Sequence, residues 1–206
     1  MILFTGGGGL AGKSFKKILP SSETPSRVDL DMTCIASIEE YLLQVEYVNA
    51  KVDTVILNAN VPLHGILNEE VGLNAMKSSK CITDFNAQMI GNVYGPVYLL
   101  RRLNEMHKIK DIFFMSTFRG IGHPVYRWKK SMQAELFQLL SSTEAFSGVN
   151  YKVVRPFHMD KPKHYEDLAI AFKSYMESSK QQATATNHTF LHLTQGSEGP
   201  FFEPQF

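Results

Sequence analysis

Two groups of residues carry chemistry by type and spacing. The first is Thr5-Gly6-Gly7-Gly8-Gly9-Leu10-Ala11-Gly12. Gly6, Gly9 and Gly12 fall at G-x-x-G-x-x-G spacing, in which one glycine permits a tight turn, a second lets backbone approach a pyrophosphate, and a third lets a helix pack closely on a strand. A helix opening at Leu10 would add amide donors and the positive end of its dipole. The same stretch satisfies a bare P-loop, Gly7-x-x-x-x-Gly12-Lys13-Ser14, which serves nucleoside triphosphates and magnesium. That reading also wants an apolar strand ending in Asp, whereas Val52 to Leu57 ends in Asn58 and Ile112 to Met115 in Ser116. A purely structural glycine turn is the third reading.

The second group is Tyr126 and Lys130, four residues apart behind Pro124, so that they share one face of a helix. A phenol titrates near pH 10 in water, and an adjacent ammonium that lowers this value makes it a usable proton donor and acceptor near neutrality. Two residues compete to close a dinucleotide's ribose. Asp29 lies 23 positions after Gly6, near the spacing at which a carboxylate binds the 2′-hydroxyl of NAD. Arg27 could instead pair with the extra phosphate of NADP. His123 beside Pro124 could assist proton transfer, although a solvated or turn histidine is the plainer reading, and His158 could face the nicotinamide or the substrate.

The elements that must position these groups follow from period changes along the chain. Ile2 to Thr5 reads as a short strand, followed by a helix with Leu10, Ala11, Phe15, Ile18 and Leu19 on one face and Pro20 at its end. A second β-like piece is expected at Arg27 to Leu30. Ser37 with Glu40 forms a capping box ahead of Ile38, Tyr41, Leu42 and Val45. Val52 to Leu57, Ile112 to Met115, Val149 to Val154 and Thr189 to Leu193 read as further strands. Between them stand a long helix from Asp84 to about His107, one with Trp128, Met132, Leu136 and Leu140 in a stripe, and one carrying Tyr165, Leu168, Phe172, Tyr175 and Met176. Alternating strands and helices predict an α/β doubly wound, parallel Rossmann-type sheet. The tail from Gly199 to Phe206, without periodicity, is expected to be an irregular arm.

Composition narrows the class. With 206 residues, 44% hydrophobic and 20% charged, residues 1–206 should form one domain with a full core. Its 21 basic and 20 acidic side chains leave no basic footprint for nucleic acid, so a small-molecule substrate is the expected partner. The uncharged stretch from Phe85 to Leu100 holds two Asn, a Gln, two Gly and a Pro, which excludes a bilayer span. The first residues do not read as a signal peptide, so a cytoplasmic location is expected. Cys34 and Cys81 stand alone, without metal-ligand spacing.

Read in order, these pieces resemble the short-chain dehydrogenase/reductase family over most of the chain. The glycine turn is similar to the family's loop, and Leu30-Asp31-Met32-Thr33 to the segment whose Asp contacts adenine. Asn58-Ala59-Asn60 resembles Asn-Ala-Gly, with Asn60 in place of glycine. Asn92-Val93-Tyr94-Gly95-Pro96, Ser116-Thr117-Phe118-Arg119-Gly120, Tyr126-x-x-x-Lys130 and Arg155-Pro156 resemble the remaining motifs.

The resemblance implies an NADP-dependent oxidoreductase, with NAD as the alternative, acting on a small carbonyl or alcohol. It implies that Tyr126 donates a proton and that Lys130 lowers its pKa and binds the nicotinamide ribose. Asn92 would hold a water that links Lys130 to solvent, Thr117 or Ser116 would bond the oxyanion, and Pro156 would face the nicotinamide. Residues Gly6, Gly9, Leu10, Gly12, Arg27, Asp31, Asn58, Ala59 and Asn60 would line the dinucleotide, beside a small substrate region from the C-terminal part. The family's habit of pairing long helices implies a homodimer or homotetramer.

The chain also departs from the pattern. Nine positions separate Thr117 from Tyr126, fewer than usual, and one strand-helix unit after the first helix is cut down, which puts Arg27 where sugar-nucleotide reductases read the NADP phosphate. The segment after Pro156 is short. A non-catalytic dinucleotide sensor or scaffold of the same fold therefore stays open as an alternative, as does a nucleotide hydrolase.

Overall fold

The computed structural model describes residues 1–60, 86–116, 124–156, 161–179, 188–196 and 199–205. Six strands form one sheet in chain order: β1 (Ile2–Phe4), β2 (Thr54–Leu57), β3 (Asp111–Met115), β4 (Asn150–Pro156), β5 (His188–Gly196) and β6 (Gly199–Gln205). The first five are parallel. The apolar runs of β2 and β3 are buried almost throughout, as a parallel sheet covered on both faces requires.

The two-residue period of the strands divides the core into two layers. Leu3, Val55, Ile112, Phe114 and Val153 point to one face, where α2 (Ile35–Tyr47), α3 (Gly95–His107) and α4 (Pro124–Ser141) contribute Ile38, Leu42, Leu99, Leu103 and Phe137. Phe4, Ile56, Phe113, Met115 and Val154 point to the other. There α1 (Leu10–Ile18) and α5 (Pro162–Ser179) contribute Ala11, Phe15, Leu168 and Phe172. Phe15 and Phe113 each meet Phe172 edge-on, with ring centroids 5.4 and 4.6 Å apart. The architecture is the expected doubly wound one.

Five expectations are corrected. Arg27 to Leu30 is not a strand but a turn, because Asp29 Oδ2 accepts from the Ser26 amide and hydroxyl at 2.9 and 2.7 Å and bends the chain locally. The β-like piece lies earlier: Glu23 bridges Leu3 in parallel, with Phe4 N donating to the Glu23 carbonyl and Glu23 N to the Ile2 carbonyl, both at 2.8 Å. The Ser37–Glu40 capping box does not form. Cys34 is the N-cap of α2, and Ser37 Oγ instead accepts from the Asp31 amide at 3.0 Å. The inward face of α4 carries Lys130, Gln133, Ala134 and Phe137, while Met132, Leu136 and Leu140 are half-buried. The tail is a strand: β6 runs antiparallel to β5, so pairing is not parallel throughout. Pro200 and Pro204, four residues apart, present the same edge and can be tolerated on an outermost strand.

A π turn, Ile90–Tyr94, precedes α3, and the helix ends at His107 as expected; Asp84, its proposed start, lies outside the described residues. Among the described residues no helix is long and apolar enough to cross a membrane. Gly95 is required by packing, since a Cβ there would lie 2.0 Å from the Met32 carbonyl oxygen. Gly148 is required only by its φ of +82°, with nothing within 4 Å of an added Cβ. Gly95→Ala should therefore lower unfolding stability by about 1–3 kcal/mol through backbone displacement, and Gly148→Ala by about 1–2 kcal/mol through left-handed strain alone. Chemical denaturation of both variants checks this, and the Gly95 variant should in addition disturb the residue 27–33 turn.

Candidate active site

Four parallel strands end at the same rim of the sheet, and the segments that follow them carry the candidate residues. After β1 the chain turns at Gly6, whose φ is +82°. A Cβ on Gly7 would sit 1.8 Å from the Thr24 carbonyl oxygen and one on Gly12 2.3 Å from Gly7 Cα, so these two allow the strand, loop and helix to close on each other. Gly7 entered the sequence reading through the P-loop spacing and not among the dinucleotide-binding residues. Gly8 and Gly9, in contrast, meet nothing nearer than 3.6 Å. A turn built only for internal packing would not need glycine at those two positions, and the open space above them admits a ligand's approach.

Gly9 is the N-cap of α1 without a side-chain cap, and no acidic residue stands in the first turn. The helix therefore opens with unneutralised amides, a natural seat for phosphate oxygens. Leu10, the first helical residue, is half exposed at this edge. Lys13 lies inside the helix, exposed, with its amide on the Gly9 carbonyl at 3.1 Å. The P-loop reading needs that lysine curled over the loop and is not supported.

Thr5 ties this turn to the next. Its buried Oγ1 accepts from the amides of Asn58 and Ala59, both at 3.0 Å, and Asn58 Nδ2 donates back to the Thr5 carbonyl at 3.3 Å. The result is a cleft lined by Gly6, Arg27, Asp31, Met32, Ala59 and Asn60, with Leu30 and Gly91 beside them. Asp31 Oδ1 accepts from the Thr33 amide and hydroxyl, at 2.8 and 2.7 Å, and Oδ2 from Arg27 Nε at 3.1 Å. Burial pushes the Asp31 carboxyl up, but Thr33 and Arg27 outweigh it and hold it below the usual carboxylate range. Asp29 is turned into its own loop by Ser26, which leaves Arg27 and Asp31 as the charged groups of this wall. Open glycines, an uncapped helix terminus and a guanidinium at the rim of a cleft fit the adenosine diphosphate half of a dinucleotide.

A second cluster lies beyond β3. Ser116 is buried, its amide on the Val154 carbonyl at 2.8 Å. Lys130 is buried and donates from Nζ to the Met115 carbonyl at 3.0 Å, with the Phe114 ring 5.1 Å away. Burial, and then the neighbouring Lys129 charge, lower its pKa to about 7; burial lowers that of Lys129 to about 8. Asn92, 1% exposed in the π turn, accepts on its carbonyl from Gln133 Nε2. Pro156 closes β4. Tyr126 stands on the first turn of α4, one turn before Lys130, and its side chain is outside the described residues, as are Thr117, His123 and His158.

Sequence reasoning missed Lys129 and Gln133. The signal for Gln133 was present in the series Lys130, Gln133, Ala134, Phe137, whose i, i+3, i+4, i+7 spacing marks a buried face even though two members are polar; Lys129 lies outside that series.

No family model and no curated protein sequence matches the chain. Solved structures do. A short-chain dehydrogenase/reductase from Brucella ovis aligns with a TM-score of 0.67 at 16% identity, covering 94% of this chain and 99% of that one. The fold is that of the short-chain dehydrogenases/reductases. A 4-hydroxyisoleucine dehydrogenase complexed with NADH and succinate aligns with a TM-score of 0.68 at 14% identity, over 95% and 98% of the two chains. A metagenomic short-chain oxidoreductase in complex with NADP gives 0.67 at 16%, over 95% and 97%. In this version of the short-chain dehydrogenase/reductase fold the segment between α1 and α2 is reduced to the bridge at Glu23 and the turn after it.

Two outcomes follow from this geometry. Thr5→Val keeps the shape of the side chain but strands two half-buried amides, so it should cost about 1–3 kcal/mol in denaturant unfolding, whereas Thr5→Ser should cost far less. For Lys130 the sign is set by its depressed pKa. Between pH 7 and the ordinary lysine value near 10.5 the unfolded chain binds more protons than the folded one, so stability rises with pH across that window. Lys130→Met should raise the thermal midpoint at pH 6, by the equivalent of about 3–5 kcal/mol, and the advantage should shrink towards pH 10.

Proposed function

We propose that the protein is an NADP-dependent oxidoreductase that interconverts a small carbonyl compound and its alcohol. The bound nicotinamide would supply or accept the hydride. The observation that carries the reading is the pairing, at one rim of the sheet, of an uncapped glycine-rich helix terminus with a buried lysine one turn beyond a tyrosine.

In this reading the amides at the start of α1 and the backbone of Gly6, Gly9 and Gly12 hold the pyrophosphate, while Asp31, Asn58, Ala59 and Asn60 wall the adenosine and ribose. Arg27 reads the 2′-phosphate. Its Nε rests on Asp31, and its side chain is 69% exposed at the mouth of the cleft, free to turn a planar fork towards a phosphate. Tyr126 gives its phenolic proton to the substrate oxygen as hydride arrives at the carbon, and recovers one from solvent. Lys130 holds positive charge beside that phenol and so favours its ionised form. Ser116 or Thr117 donates a hydrogen bond to the oxyanion. Asn92 fixes the π turn behind Lys130, and Pro156 closes the nicotinamide side.

The test is calorimetric and kinetic together. NADPH should bind tighter than NADH, and Arg27→Ala should weaken NADPH binding by about 10–100-fold, the worth of a charge-assisted contact, with little effect on NADH. Tyr126→Phe should abolish ketone-dependent NADPH oxidation and leave NADPH affinity within about twofold. Unchanged turnover in Tyr126→Phe refutes the catalytic assignment.

A dinucleotide sensor or scaffold is the second reading. Lys130 hydrogen-bonds the Met115 carbonyl and does not line the cleft, which favours it. Tight NADPH binding with no turnover over a broad carbonyl panel would select it.

A further inference from the structure

Hydrogen bonding on the inward face of α4 does not balance. Gln133 is 2% exposed, and its Nε2 donates to the Asn92 carbonyl, which fixes the amide's orientation and leaves Oε1 as an acceptor. That oxygen is buried and has no partner among the described residues. Three residues earlier, Lys130 is 3% exposed with three N–H donors, and its hydrogen bond among the described residues is the one to the Met115 carbonyl. Residues at i and i+3 on a helix are neighbours on one face. A buried donor with capacity to spare and a buried acceptor with none to accept from therefore share one face of the helix, one turn apart, without a direct hydrogen bond between them. Leaving both unmet is costly in a low-dielectric interior, and one bridging water satisfies both. The anchor of the amide is itself unusual, because the π turn Ile90–Tyr94 interrupts the ordinary helical ladder around the Asn92 carbonyl.

We propose that Gln133 is a positioning residue for Lys130: its amide, anchored on the Asn92 carbonyl, accepts on Oε1 from one buried water that in turn accepts from the Lys130 ammonium, and so holds it protonated between β3 and the π turn. Any role in turnover rests on the reading of Lys130 given above; the contact itself does not. Among the described residues, the surroundings of Lys130 leave the amide as the balancing group. On α4, Lys129 opposes its charge and Tyr126 stands one turn earlier, its side chain outside the described residues. β3 presents Phe114 and Met115, β4 presents Tyr151 with its hydroxyl on the Ala134 carbonyl, and residues 86–94 carry no charge, their one phenol, Tyr94, being exposed.

The experiment titrates Lys130 in the full chain without cofactor. Protein labelled with 13C-lysine is followed by NMR from pH 5 to 11, with the Lys130 ε-methylene signal assigned by its loss in Lys130→Arg. Gln133→Met, close in shape and lacking the acceptor, should lower the Lys130 titration midpoint by about one pH unit, and Gln133→Glu should raise it by at least as much. A midpoint unmoved in either folded variant overturns the proposal. Should Gln133→Met fail to fold, Gln133→Asn, which withdraws the amide by one methylene, must lower the midpoint instead, and an unmoved value overturns the proposal equally. Where NADPH-dependent ketone reduction is present, the pH profile of kcat/KM should shift in the same direction as the midpoint. Shifted midpoints in a protein without any turnover support the contact and sink the oxidoreductase reading alone.

Discussion

Thr5 Oγ1 takes hydrogen bonds from the Asn58 and Ala59 amides at the point where the chain leaves the first two strands, and the spacing of everything at that rim follows from it. With the loop after β2 held against the end of β1, Gly6 lies so close to Ala59 that an added Cβ would stand 3.0 Å from its Cα. The glycine turn is thereby forced outward, towards α1, and its open side faces the cleft. A hydroxyl is suited to this place because it accepts twice with little volume. A methyl group of the same shape would leave two half-buried amides unmet, and the two loops would have reason to part.

The second constraint is electrostatic. Burying Lys130 costs free energy, and packing alone gives no reason for a lysine on a helix face that also carries Ala134 and Phe137. Burial lowers its pKa to about 7, so that in the folded protein it can lose its proton near neutrality. Lys129 beside it strengthens the same effect by repulsion.

The doubly wound architecture was legible because it rests on apolar period. Val55 to Leu57, Ile112 to Met115 and the Ile38, Tyr41, Leu42, Val45 series sit where their spacing puts them. Reading failed wherever polar side chains decide the backbone. Ser26 and Asp29 fold Arg27 to Leu30 into a turn, and Ser37 serves Asp31 instead of capping its helix. The register of α4 escaped because Lys130 and Gln133 interrupt its buried face, and β6 because two prolines masked a strand that needs only one bonded edge. In the candidate site, the glycine turn and the Tyr126–Lys130 pair stood out by type and spacing, while Asn92 came from the family resemblance. The packing role of Gly7 was not readable, since its necessity comes from the Thr24 carbonyl, which no local pattern contains.

The shortened segment between α1 and α2 explains how so small a sheet keeps a ligand cleft at all. A crevice forms in an open α/β sheet where successive connections leave a strand in opposite directions. Here the chain passes from β1 through α1 to Glu23 on one side of β1, and then through α2 to β2 on the other, so one bridge is enough to preserve the switch. What the missing pairing would have stiffened must be stiffened otherwise. The cleft wall at residues 26–33 is held by Ser26 on Asp29, Thr33 on Asp31 and Asp31 on Ser37, and from behind by the close fit of Gly95 beneath the Met32 carbonyl. A wall made of short-range polar contacts keeps its shape without a ladder, and it leaves Arg27 at the rim on a single ion pair, able to exchange one anionic partner for another.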